Sequence, residues 1–292
     1  MKFRNIGIVL KPEMEDPAAY KKLIDLLRSL DVSLCIDEQS KHFLPNGEDF
    51  PMFTDCSSLD LLLVIGGDGT ILRAVRDLSP NCPILSIHYG TIGFLSELTF
   101  DEAPDLLPKF LNGEGVAEER KLLSVSALRG SKKIFEGDVL NEAVIAQGSI
   151  ARLIDLRAEV NGEPLTTFRS DGLIMSTPTG STAYNLAAGG PIVHPRLHAM
   201  ILTPINSHSL SQKPVVLPGD ADVLVEVLPK ERAFIPMQVS LTLDGQQYVP
   251  LERGDTVRVK TSNRSAIFLR SREETFLQTL RAKLKWGERP TA

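Results

Sequence analysis

A carboxylate stands in the middle of a glycine turn, Gly66-Gly67-Asp68-Gly69-Thr70. Glycines let a backbone turn sharply and let a bulky ligand approach it. A turn that opens a helix also presents N–H groups that favour anions, phosphate above all. Asp68 would repel phosphate. The pairing makes chemical sense where the carboxylate takes a proton from an attacking hydroxyl, or helps hold a metal, during phosphoryl transfer. A second reading is local: Asp68 caps the helix that follows. The turn is not a Walker A loop, because no G-x-x-x-x-G-K-[ST] occurs in the chain. Nor does the dinucleotide fingerprint G-x-G-x-x-G occur.

A second stretch, Asp171 to Pro195 ("DGLIMSTPTGSTAYNLAAGGPIVHP"), concentrates hydroxyls and backbone donors. A strand is expected to end at Ser176, followed by Thr, Pro, Gly and Ser and then a helix of small residues. Tyr184 is an aromatic able to cover a flat ring. This composition suits a nucleoside; the competing reading is a Gly/Thr loop leading into a tightly packed helix. His194 and His198 are four apart, but Pro195 intervenes and no H-E-x-x-H is present, so no metal site is assigned. Ser181 lacks a G-x-S-x-G elbow and reads as a loop hydroxyl. Glu118 to Lys121 ("EERK") reads as a solvated face, and Trp286 as packing or interface.

The elements that must position these residues fall into two textures. Asn5–Leu10, "VSLCID", "LDLLLVI" and Pro83–His88 are apolar strand candidates. The first is followed by a helical stripe of Tyr20, Leu23, Ile24, Leu27 and Leu30, with Pro17 after Asp16 at the helix start. Such alternation predicts a parallel sheet covered on both faces. A helical connector lies near 101–112. From Leu122 onward the pattern alternates ("LLSVSAL", "LIDLRAEV", Val223 to Leu228, "VSLTL", "TVRVKT", "AIFLR"), with hairpin signals at "VNGEP" and "LDGQQ". The expected fold is an α/β N-terminal domain with a Rossmann-like parallel sheet plus a mostly antiparallel β C-terminal domain. Residues 1–110 carry the glycine turn and 111–269 form the β-rich domain. The last helix, with Phe276, Leu277, Leu280 and Leu284 on one face, packs on either one, so 270–292 is a candidate completion of the first.

Composition bounds the setting. Over 292 residues, the 42% hydrophobic and 24% charged fractions are those of a globular protein. A net charge of −5 offers no broad surface for nucleic acid or anionic membrane. No apolar run is long enough to span a bilayer, and the N-terminus has no signal-peptide h-region. Cys35, Cys56 and Cys82 show no C-x-x-C spacing and read as reduced thiols, so the expected location is cytoplasmic.

Taken together, "GGDGT", the Asn141-Glu142 pair and "SDGLIMSTPTGSTAYNLAAGGPI" resemble the NAD kinases of bacterial type, as do "GTIGFLSEL" (Gly90 to Leu98) and "SHSLSQKPVVLPGD". Similar glycine turns occur in lipid kinases and phosphofructokinases; the TPTGSTAY segment is the specific part. The resemblance implies phosphorylation of the 2′-hydroxyl of the adenosine ribose of NAD by ATP, or in some members polyphosphate, with Mg²⁺ accompanying the ATP. It implies Asp68 as base, Gly69 lining the dinucleotide, and Gly66, Gly67 and Thr70 at the phosphate turn. It further implies that Asn141 and Glu142 engage dinucleotide hydroxyls and that Asp171 holds the carboxamide end. Thr182, Ala183, Tyr184, Asn185, Leu186 and Ala187 match the loop around the bases. Arg152, Arg169 and Gln246 match ligand-contact positions, though the arginines also read as exposed strand residues and Gln246 as part of a hairpin. His208 matches a family histidine, while Lys213 stands where arginine is usual and loses a bidentate fork. A homodimer or homotetramer is implied. Two rivals remain: a lipid kinase, which needs an apolar mouth, and a non-catalytic dinucleotide sensor, for which a carboxylate at a phosphate turn has no evident use.

Overall fold

The computed structural model describes residues 2–12, 16–44, 49–88, 93–148, 153–228, 238–272 and 276–286. The chain divides into two compact units, Met1–Glu119 with Ala266–Ala292, and Arg120–Ser265.

The first unit is α/β. Its strands are β1 (Asn5–Leu10), β2 (Ser33–Asp37), β3 (Met52–Phe53), β4 (Leu61–Ile65), β5 (Ile84–His88) and β6 (Leu98–Thr99), with helices α1 (Pro17–Ser29), α2 (Glu38–Lys41), α3 (Asp68–Leu78) and α4 (Ala103–Asn112). The strands run parallel in the order β5-β4-β1-β2-β3, with β6 on the β5 edge. All of β4 and β5 is buried, which is why these strands read as unbroken apolar runs. On one face Ile6, Ile8, Leu10, Leu61, Leu63 and Ile65 pack with α1 and α4 through residues such as Tyr20, Ile24, Leu27, Leu107 and Phe110. Asp16 caps α1, accepting from the N–H groups of Ala18 and Ala19. The strand order reverses between β1 and β4, so the crevice at their carboxyl ends is where this kind of sheet binds ligands. The glycine turn leaves β4 there.

The second unit is antiparallel. Its elements are β7 (Val116–Arg129, whose first four residues precede the unit), β8 (Lys132–Val139), β9 (Glu142–Gln147), β10 (Ile154–Val160), β11 (Glu163–Ser170), β12 (Gly172–Ser176), α5 (Tyr184–Ala187), β13 (Ala199–Ile205), β14 (Val215–Pro218), β15 (Val223–Val227), β16 (Val239–Leu243), β17 (Gln247–Leu251) and β18 (Thr256–Arg270). One sheet has the order β14-β13-β12-β9-β16-β17; another set runs β11-β10-β15-β18, with β7 on β18 and β8 on β7. Alternate residues of both, including Val125, Ile145, Leu156, Leu173, Met175, Val225, Leu241 and Val257, form one core. Where "TVRVKT" and "AIFLR" suggest two strands, the chain makes one of fifteen residues, β18. The intervening Ser262, Asn263, Arg264 and Ser265 include no glycine or proline, and Arg264 and Ser265 pair with Asp138 and Lys121. The end of β18 runs beside β5 (Phe268 opposite Ile84) in the α/β unit, which also contains the last helix, α6 (Phe276–Leu284), with Leu280 buried.

Candidate active site

The glycine turn carries Asp68 into the first turn of α3. Gly67 is the N-cap residue and no side chain caps the helix, so the local reading of Asp68 as a cap does not hold. Its carboxylate turns instead toward the segment after β5. Oδ2 accepts from the N–H of Phe94 (2.9 Å), and Oδ1 accepts from the N–H of Leu95 (3.2 Å) and the hydroxyl of Ser96 (3.1 Å). Gly93 permits this approach, since a Cβ there would lie 1.9 Å from Asp68 Oδ1. Asp68 is half-buried, Gly67 and Gly69 are exposed, and Gly66 and Thr70 are buried against each other. A Cβ on Gly66 would come within 2.5 Å of Thr70 Oγ1, whereas Gly67 faces open space. The site therefore offers an oriented carboxylate beside an exposed helix N-terminus.

In the β-rich unit Asn141 precedes β9 and Glu142 opens it. Asp244 holds their backbone: Oδ1 accepts from the N–H groups of Asn141 (2.8 Å) and Glu142 (3.0 Å), and Oδ2 from that of Leu140 (2.9 Å). The Asp244-Gly245 turn has positive φ at both residues (49° and 65°), the geometry that favours Asp-Gly in hairpins. On the other side Thr177 N–H and Ser176 Oγ donate to the Asn141 carbonyl, and Thr177 Oγ1 donates to that of Leu140. Gly180 packs so closely that a Cβ would sit 2.3 Å from the Asn141 carbonyl oxygen. Glu142 is only 6% exposed, and its Oε2 has no hydrogen-bond partner among the described residues. Burial, and then the negative charge of Asp244, push its carboxyl up to about 8. A buried carboxyl oxygen without a hydrogen-bond partner is what a ligand hydroxyl, able to donate or accept, would satisfy.

The hydroxyl-rich stretch follows β12, which ends at Ser176. Its helix is one 3₁₀ turn (Thr179–Thr182) and one α turn, α5. Ser181 is fully buried and its Oγ bonds the Pro178 and Val193 carbonyls, so it is a loop hydroxyl. Tyr184 and Ala187 are exposed, and Thr182, Ala183 and Leu186 are half-buried. Asn185 is fully buried: its Nδ2 donates to the carbonyls of Ser181 and Pro191 (both 3.1 Å) and its Oδ1 accepts from Thr203 (2.6 Å). Its side chain thus holds the loop together, with both amide hydrogens engaged.

Asp171 lies at the other end of the β9–β12 pair. Gly172 is opposite Ala146 and Ser176 opposite Glu142, four residues apart, or about 13 Å. Its Oδ1 accepts from Gln147 Nε2 (2.9 Å) and its Oδ2 from Asn206 Nδ2 (3.0 Å). Arg169 is 61% exposed in its side chain and reaches only to 4.0 Å from Asp155. Gln246 is exposed in the Asp244 hairpin. Arg152 lies outside the described residues. Sequence reasoning missed Gly93, Ser96, Asp244 as a clamp, and Asn206. "GTIGFLSEL" was the one available signal for the first two.

The described residues contain no group of three or more His, Cys, Asp or Glu side chains able to hold a metal. Near the turn, both Asp68 oxygens already accept from protein donors, so the residues present do not form a metal cage.

The ATP-NAD kinase N-terminal domain pattern matches residues 36–115 and the ATP-NAD kinase C-terminal domain pattern matches 140–271. An NAD kinase of Citrifermentans bemidjiense is 38% identical over 291 residues, spanning 97% of this chain and 99% of the relative. Among solved structures, yeast NADH kinase complexed with NADH matches with a TM-score of 0.86 at 26% identity, covering 100% of this chain and 90% of that one. An Archaeoglobus fulgidus NAD kinase in complex with ATP matches at 0.74 and 25% identity, covering 96% and 98%.

Proposed function

The chain belongs to the NAD kinase family, and on that premise we propose that it phosphorylates the 2′-hydroxyl of the adenosine ribose of NAD with ATP, giving NADP. The observation that carries the reading is the oriented, half-buried carboxylate of Asp68 at an exposed helix N-terminus. The hydroxyl oxygen attacks the γ-phosphorus, the bond from that phosphorus to the β-phosphate oxygen breaks, ADP leaves, and the hydroxyl proton passes to Asp68. Three donors fix the carboxylate, which is the positioning such a proton transfer needs.

Asn141 and Glu142 receive dinucleotide hydroxyls, the unpartnered Glu142 Oε2 being the open position. Asp171, Arg169 and Arg152, the loop residues Thr182, Ala183, Tyr184, Leu186 and Ala187, and Gln246 complete the NAD contacts, with Gly69 lining the ligand. Asn185 contributes by holding that loop. Gly66, Gly67 and Thr70 form the phosphate turn. An extended dinucleotide is long enough to engage both ends of the β9–β12 pair. A divalent metal such as Mg²⁺, accompanying the ATP, would neutralise charge on the transferred phosphate. The family resemblance supports a homodimer or homotetramer and a cytoplasmic setting; no described helix is long and apolar enough to cross a membrane.

The test is NADP formation from NAD, ATP and Mg²⁺ by the wild type and Asp68→Asn. The variant is expected to lose about 10²–10⁴ in kcat while still binding NAD. A folded wild type without turnover, on ATP or polyphosphate, would leave the dinucleotide sensor as the reading.

A further inference from the structure

The donors that orient Asp68 are themselves held from behind. Arg270, the last residue of β18, is 3% exposed. Its Nη1 donates to the carbonyls of Leu95 (3.1 Å) and Ser96 (3.3 Å) and to Glu97 Oε2 (3.1 Å), and its Nε donates to Glu118 Oε2 (2.8 Å). The other Glu97 oxygen accepts from the N–H of Ser271 (2.6 Å). The guanidinium carbon lies 5.3 Å from the Phe268 ring centre.

The same two residues, Leu95 and Ser96, therefore bond Arg270 through their carbonyls and Asp68 through their N–H and hydroxyl. Glu97 and Glu118 anchor the arginine in one orientation, because a planar fork with donors on several edges fits several acceptors only one way. Moving that fork moves the segment, and moving the segment turns the carboxylate. We propose that Arg270 is a positioning residue for phosphoryl transfer, acting through Leu95 and Ser96 on Asp68; this rests on Asp68 being the base.

Arg270→Lys tests it, since lysine keeps the charge but has no fork. The expected result is a fall in kcat of at least about tenfold, given that misplacement by about 1 Å costs about 10². KM for NAD and for ATP should stay within about twofold, because the groups proposed to bind them are untouched. In an Asp68→Asn background the same change should lower the residual rate less than about twofold, as residues acting as a unit are not additive. Ser96→Ala, which removes one donor without disturbing the buried charges, should show a smaller kcat loss with the same non-additivity. Equal losses in both backgrounds, or a rise in KM at unchanged kcat, would overturn the role of Arg270. So would wild-type turnover in both Arg270→Lys and Ser96→Ala while Asp68→Asn is crippled. Wild-type turnover in Asp68→Asn would instead remove the base, and the proposal with it. If Arg270→Lys does not fold, Glu118→Gln, which weakens the anchor on the arginine's Nε, decides by the same double-variant comparison.

Discussion

Asp68 and Glu142 are both acidic residues at an end of a strand, and the chain treats them in opposite ways. Asp68, half-buried, has both oxygens met by protein donors. Glu142 is buried, close to another carboxylate, and keeps one oxygen without a described partner. The first arrangement fixes a group in advance, which suits a carboxylate whose direction matters at the moment of reaction. The second leaves hydrogen-bonding capacity unfilled at a desolvation cost, which suits a group completed by its ligand.

The contrast can be broken most sharply at Gly93. A methyl group there would have to share space with Asp68 Oδ1. Gly93→Ala should lower kcat by about a hundredfold with NAD affinity nearly intact; steady-state kinetics with separate KM values check it. A loss confined to KM would mean that Asp68 is not held by this segment for catalysis.

A smaller effect is expected at Asp244, the clamp behind Glu142. Asparagine offers one acceptor oxygen where the carboxylate offers two, so Asp244→Asn leaves at least one of three backbone N–H groups poorly satisfied. We expect about 1–3 kcal/mol lower stability by urea unfolding and a raised KM for NAD at little changed kcat. Unchanged stability would show that the clamp is dispensable.

Glu142→Gln sharpens the comparison through pH. The wild-type carboxyl is raised from its ordinary 4.5 to about 8, so the folded chain holds this proton more tightly than the unfolded one. Its contribution to stability is full below about pH 4.5 and is lost as pH rises through about 8. Glutamine does not titrate. The melting temperature of the variant should therefore gain on the wild type from about pH 4.5 to about pH 8 and level off above that. Parallel curves would contradict a buried, proton-retaining Glu142.

The mildest change is Arg169→Ala. With its side chain 61% exposed, stability should move by no more than about 0.5 kcal/mol. If Arg169 touches NAD, KM rises by up to about fivefold, the scale of an exposed charge pair. No change in KM removes it from the site.

What could be read in the sequence was local or periodic. Leu61–Thr70 carries strand, turn and helix signals in consecutive residues, and β4, the turn and α3 follow them. Asn161-Gly162 and Asp244-Gly245 both adopt the positive φ that their residue types favour. What could not be read was long-range. Nothing near Asp68 signals that residues 94–96 supply its donors. Nothing near Asn185 shows that Thr203 accounts for part of its side chain's bonding. Aspartate at 244 reads as a turn former, and its second use as an acceptor for residues 140–142 depends on sheet register that composition does not encode.

The chain leaves the α/β unit after Glu119 and returns to it at Ala266. The β-rich unit is therefore an insertion, and the host is completed late in synthesis. Leu269 belongs to the host's core, and the Arg270 contacts to Leu95, Ser96 and Glu97 close over more than 170 residues. As the chain emerges from a ribosome, the inserted β unit has nearly all its strands before its host can close. The support behind the glycine turn is among the last parts to arrive, so a chain halted before residue 270 would carry the whole GGDGT motif and the donors of residues 94–96, and still lack the arginine that holds those donors from behind.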